Sequence, residues 1–198
     1  MNTFIRIWKT KEVRNSIIFV ILMLVVFRVT AHIPVPGVNT SALQDLFSGN
    51  QLFGLLNIFS GGTLENFSVV AMGVAPYITS SIIFQLLGMI IPAMEEMQKE
   101  EQGRQKINQW TRWATIPLAF IQGYGLILLL SQNGSLFVNS GIISILFAIT
   151  TMTAGTVFLM WIGELISEKK IGNGISIMIL AGIIAGLPTT LSQSLAVY

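Results

Sequence analysis

Cysteine is absent from the 198 residues, and histidine occurs once, at His32. The first absence excludes disulfides and thiolate ligands, and the second leaves an all-protein zinc site without donors. Charge is also scarce. Asp, Glu, Lys and Arg make up 10% of the chain, against about 25% in an ordinary soluble domain. A net charge of +2 is too small to point to nucleic-acid binding. The signatures of intramembrane enzymes are missing as well: there is no GxSG serine, GxGD aspartate or HExxH zinc pattern. His32 lies near the end of an apolar run and reads as an interfacial histidine. Glu164 is the one carboxylate close to a predicted span; no partner for a proton relay is visible, so it reads as an interfacial or capping group. No catalytic, cofactor or metal residue is assigned, and an enzyme is not expected.

What the chain does have is apolar length. It is 53% hydrophobic with a mean hydropathy of +0.73, the composition of an integral membrane protein. Crossing a hydrocarbon core of about 30 Å at 1.5 Å per residue takes roughly 20 apolar residues. Five stretches come close: 17–31, 69–94, 113–131, 142–163 and 171–187. The basic residues sort by position. Arg6, Lys9, Lys11 and Arg14 precede the first stretch, Lys99, Arg104, Lys106 and Arg112 follow the second, and Lys169 and Lys170 follow the fourth. Only Arg28 falls elsewhere, near a span end from which it can snorkel. Basic segments alternate with segments that lack Lys and Arg, so the positive-inside rule predicts a cytoplasmic N-terminus and five spans.

The expected division of this single membrane domain begins with a cytoplasmic N-terminus at 1–16 and span 1 at 17–31. An outer loop at 32–68 leads to span 2 at 69–94, a cytoplasmic loop at 95–112 and span 3 at 113–131. A second outer loop at 132–141, span 4 at 142–163, a cytoplasmic loop at 164–170, span 5 at 171–187 and an outer tail at 188–198 complete it. Residues 1–31 also have the outline of a signal peptide, but Arg28 beside the cleavage-like Val29-Thr30-Ala31 and the charge alternation argue against cleavage.

Inside the predicted spans the polar groups are small and neutral. Gly182 and Gly186, four residues apart, suit close helix packing in lipid. Gly73 and Pro76 together weaken the start of the second span and form a candidate hinge. Non-helical backbone at that depth is tolerated only against protein or a water-filled cavity. Five spans leave the two ends on opposite sides, so a second five-span unit in the same chain would be inverted, as in many transport proteins.

The stretches "FSGGTLENFSVVAMGVAPYITSSIIFQLL" (59–87), "FRVTAHIPVPGVN" (27–39), "GRQKINQWTRWAT" (103–115) and "GTVFLMWIGELISEKKIGNGISIMILAGIIAGLP" (155–188) closely resemble the SecY family of protein-conducting channel subunits. The resemblance runs in order from the first span to the end of the fifth. It implies an all-α polytopic bundle, with this chain supplying five spans that form one half of a ten-span inverted-repeat clamshell. It also implies passage of unfolded polypeptides across the membrane and lateral release of apolar helices into the lipid bilayer. The implied location is the cell inner membrane, and the implied partners are SecE, SecG, the SecA motor, the ribosome and the translocating polypeptide.

By motif, the resemblance assigns Val74 and Ile78 of "GVAPYI" and Ile177 of "GNGISI" to an aliphatic pore ring; by composition alone these are core residues. It assigns Thr79, Ile83 and Gln122 to a lateral gate. It makes 52–67 a plug, centred on Phe59, Ser60, Gly61, Gly62, Thr63, Leu64, Glu65, Asn66 and Phe67, which composition alone reads as a polar outer loop. Its glycine pair disfavours helix by about 1 kcal/mol per residue, so tertiary packing must hold the segment. The alternatives from other classes are a small five-span solute transporter or assembly factor acting as a homo-oligomer, and a non-functional truncated fragment.

Overall fold

The computed structural model describes residues 11–38, 43, 60, 63, 64, 66–131 and 141–196, with side chains described as far as 186. Six helices run through them: α1 (Lys11–Thr30), α2 (Ala75–Ile90), α3 (Pro92–Lys99), α4 (Glu101–Ser131), α5 (Ile142–Glu168) and α6 (Gly174–Ala196). No strand occurs among the described residues, and the expected all-α class holds. By length and composition α1, α4 and α5 can each cross a membrane, and the bent pair α2–α3 can count as a fourth crossing. The part of α6 from Gly174 to Gly186 is apolar but shorter.

Helix α5 is central and packs against α1, α2, α4 and α6. Its buried face is wide, from Ala148 through Met152, Gly155 and Leu159 to Ile166. Helix α4 instead buries a narrow stripe at four-residue spacing: Gly103, Ile107, Thr111, Thr115, Ala119, Gly123 and Ile127. Small residues at that spacing bring helix backbones close, which is how helices associate in lipid. Two apolar clusters result. One joins Val35, Leu43, Phe67 and Met72 to α4 and α5; the other joins α1, Val70 and Val74 to α5 and Met178 of α6.

The limits of these helices depart from the apolar stretches, most of all at the expected second span. Residues 69–74 are turns, and α2 begins only at Ala75. Gly73 adopts φ +56°, a left-handed conformation that L side chains rarely take. Pro76 does not kink a continuous helix; it sits in the first turn of α2, where its missing N–H leaves no bond unmade. At the other end the helix breaks at Ile91 (φ −102°, ψ 110°), because the ring of Pro92 excludes the α conformation from the residue before it. Helix α3 departs at 109° to α2.

The expected loop 95–112 is therefore mostly helix. Charge content located the basic segment but not its conformation, and Arg104, Lys106 and Arg112 ride on the first turns of α4. Helix α5 likewise continues past Gly163 to Glu168, and Lys169 at its end lies 4.6 Å from the centre of the Phe19 ring on α1. Helix α6 starts at Gly174 rather than Ile171, since the Asn173 side-chain oxygen accepts from the N–H groups of Ile175 (3.0 Å) and Ser176 (3.4 Å). Beyond 187, where an outer tail was expected, α6 runs on to Ala196.

The non-helical segment before α2 is seated on α5. A Cβ built on Gly155 would lie 2.1 Å from the Val69 carbonyl oxygen. Gly182 and Gly186 are the pair expected to pack closely, and close backbone approaches are described at three other places, at Gly103, at Gly155 and between Gly163 and Gly174, where a Cβ on Gly174 would meet the Gly163 oxygen at 1.9 Å. Gly155→Ala is expected to destabilise the fold by about 1–3 kcal/mol through forced displacement. Gly125→Ala, with nothing within 4 Å of its Cβ position, should be neutral or slightly stabilising. Reversible unfolding in detergent micelles measures both, and equal losses would remove Gly155 as the seat.

Candidate functional site

Among the described residues before α2, Thr63 and the stretch 67–71 are held by bonds to neighbouring coil. Pro34 and Ser68 form an isolated antiparallel bridge: the Val35 N–H donates to the Phe67 oxygen and the Val69 N–H to the Ile33 oxygen, each at 2.9 Å. The Ser68 N–H donates to the Thr63 oxygen (3.0 Å), and the Thr63 hydroxyl donates to the oxygens of Ser60 (3.0 Å) and Ala71 (3.4 Å). Thr63 and Phe67 are fully buried, although Phe67 takes a positive φ of 40°. Satisfied backbone and complete burial let irregular structure persist in a helical membrane protein. Of the nine predicted plug residues, Ser60, Thr63, Leu64, Asn66 and Phe67 are described, while Phe59, Gly61, Gly62 and Glu65 lie outside the described residues.

A cleft of about 470 Å³ opens beside this segment. Ser60 and Leu64 line one side, Gly73, Val74 and Ile78 another, Gln122 and Leu126 of α4 a third, and Met178, Ile179 and Gly182 of α6 the fourth. Among the described residues that line it none is charged. Further along the same helices lies a second, more polar cleft of about 400 Å³, between α2, α5 and the start of α6. Ser81 and Gln85, Glu164 and Ser167, and Asn173 and Ser176 line it. Ile78 and Ile179 line both clefts, so two opposed isoleucines stand where one cleft gives way to the other.

Val74 and Ile78, one helical turn apart, thus share a face of α2 on the first cleft. Ile177 lines neither cleft: it packs in the second apolar cluster, with its Cδ1 toward Gly172. The α6 residue facing Ile78 is Ile179, two positions on and so about 200° around the helix. In an uninterrupted aliphatic run no periodicity marks the face, and the sequence reading missed it.

Two predicted gate residues meet. The Gln122 side-chain amide donates to the Thr79 hydroxyl at 3.2 Å, and that hydroxyl donates to the Ala75 oxygen at 3.0 Å. Ile83, one turn on from Thr79, is 40% exposed and lines neither cleft. At the residue next to Thr79 is an interaction without a signal in the sequence: the Ser80 hydroxyl, fully buried, donates to the Thr111 oxygen of α4 at 2.8 Å. The Thr115 hydroxyl shares the same acceptor at 2.7 Å. Helix α2 is therefore fastened to α4 by two polar bonds, one deep and one at the cleft. Glu164 is ion-paired with Arg112 of α4, which adds a specific cross-helix partner to its expected interfacial position.

Loss of the deep bond should cost more than loss of the shallow one. Ser80→Ala is expected to destabilise by about 1–2 kcal/mol, toward the upper end for interhelical bonds, and Gln122→Leu by about 0.6 kcal/mol, near their average. Equilibrium unfolding of the two variants orders them, and the reverse order would contradict this division.

Apolar helices, irregular backbone held at depth and two clefts meeting at an aliphatic boundary define a polytopic α-helical membrane protein. Residues 68–198 match the SecY family model, and the chain belongs to the SecY family. Its relatives include the protein translocase subunit SecY of Bacillus licheniformis, 50% identical over 191 residues, which covers 93% of this chain and 44% of the relative. The subunit of Staphylococcus aureus (strain NCTC 8325 / PS 47) is 45% identical over 197 residues, covering 98% of this chain and 46% of the relative. That of Staphylococcus carnosus is 46% identical over 195 residues, covering 96% and 45%. The chain spans about half the length of the curated relatives it matches.

Proposed function

We propose that the chain forms the N-terminal half of a protein-conducting channel, passing unfolded polypeptides across the membrane and releasing apolar helices into lipid. The observation that carries this reading is the meeting of two clefts at Ile78 and Ile179, beneath the segment from Ser60 to Phe67. An aliphatic boundary excludes ions by dewetting and yields around a passing chain, because none of its groups must keep a fixed polar partner. In this reading Val74, Ile78 and Ile179 form this half's share of the constriction, and the buried segment above is its plug. Gly73, the left-handed joint before α2, is the hinge. Thr79 and Gln122 form a gate seam whose single bond an arriving apolar segment can replace. A solute transporter would place charge at the midplane, and the described residues lining the first cleft are all uncharged.

The chain crosses the cell inner membrane five times with its N-terminus cytoplasmic, as the alternation of basic segments supports. Helix α2 spans about 24 Å, so residues 69–74 complete its crossing, and α6 with 23 residues reaches about 35 Å. The chain carries out no catalysis; energy comes from SecA or the ribosome acting on a complete channel that includes SecE and SecG.

With Thr79→Cys placed in the complete channel, crosslinking to a stalled translocating chain is expected, and no crosslink would sink the gate assignment. Ile78→Ser with Ile179→Ser should raise ion leak through the idle channel, because a wetted boundary conducts. Leak equal to that of Ile177→Ser would put the constriction elsewhere.

A further inference from the structure

The second cleft has a chemistry that the aliphatic boundary does not use. Glu164 is the only charged residue among the described residues that line it. The other polar groups there are neutral, with Ser81 and Gln85 on one wall and Ser176 on the opposite one. The cation paired with Glu164 is not a lining residue: Arg112 reaches it from α4, and the Arg112 side chain is 48% exposed against 23% for Glu164. The two partners therefore stand to lose unequally if they separate. Arg112 can swing into water at little cost, whereas the less exposed carboxylate is left needing a cation. At the far end of the same cleft, Ile78 and Ile179 offer an apolar surface.

A ligand that satisfies both ends has a basic side chain followed by an apolar run. We propose that Glu164 is a docking point for a Lys or Arg side chain of an entering polypeptide, and that Arg112 is the internal cation it displaces. The inference rests on the channel reading and names the substrate feature that this cleft selects. With the cation on Glu164, the following apolar residues lie toward Ile78 and Ile179, and the neutral groups between can bond to extended backbone. Arg112 sets the threshold, since only a chain presenting its own cation replaces the pair without stranding a charge.

The test uses the complete translocase containing this chain, in proteoliposomes. The two reporter substrates are identical except that two lysines, or two glutamines, precede the apolar segment. Glu164→Gln is expected to slow the lysine reporter by about fivefold relative to the glutamine reporter, the size of a partly exposed ion pair. The charge-swapped double variant Glu164→Arg with Arg112→Glu keeps the internal pair and so guards against a folding defect. It should remove the preference for lysine and favour a reporter with two glutamates. Equal slowing of both reporters by Glu164→Gln overturns the inference, as does an unchanged lysine preference in the charge-swapped variant. If the unmodified translocase passes neither reporter, the channel reading fails first and this inference falls with it.

Discussion

Gly155 has no side chain, and the carbonyl of Val69 occupies the space in which a Cβ would stand. This close approach lets six residues of turn lie against the middle of α5 at a depth where lipid offers no hydrogen bonds. Around it the backbone is satisfied by local turns and by the bridge between Pro34 and Ser68. Val70, Ala71, Met72 and Val74 are buried in the two apolar clusters. Because the turn is seated there, α2 starts late, at Ala75, and its first turns face a cleft instead of a neighbouring helix. Both clefts, and the opposition of Ile78 to Ile179, follow from that displaced start.

The same geometry decides what α2 is attached to. Its polar bonds run to α4, through Ser80 and Thr79, while toward α6 it meets open cleft. Helix α3 folds back at 109° and packs on the base of α4, where Gly103 leaves room for the Met97 carbonyl. Helix α2 packs most extensively on α4, and α4 in turn on α5. Between α2 and α6 lie the two clefts, with Ile78 and Ile179 lining both. The ion pair from Arg112 to Glu164 adds a polar tie between α4 and α5 beside the second cleft.

Much of this was legible in the residues, and the gaps have physical causes. Gly73 and Pro76 marked a weak start to the second span, and there Gly73 takes a left-handed φ while Pro76 sits in the first turn of α2. Pro92 carried the signal for the break at Ile91, but in the apolar run from Val69 to Met94 continuity outweighed it. Asn173 was a readable helix cap lost in the same way, inside a stretch that looked like the start of a span. Thr79 and Gln122, both assigned to the gate by the resemblance, share a hydrogen bond although they are 43 positions apart. Ser80 with Thr111 and Arg112 with Glu164 were not foreseen. Pairings across helices depend on how the helices are rotated, and uniformly apolar helices carry little amphipathic signal to set that rotation.

The sequence by itself determined the solvent. With so few charges, such long apolar runs and basic residues confined to alternate segments, the chain must be a helical bundle in a membrane, because only internally satisfied backbone survives there. Its motifs also determined the family. Tertiary structure alone decided which of several equivalent isoleucines stand at the boundary between the clefts, and which carboxylate faces an opening. Ile177 and Ile179 are chemically identical, and what separates them is the rotation of α6, set by the seating of Gly174 on the Gly163 carbonyl and by the Asn173 cap.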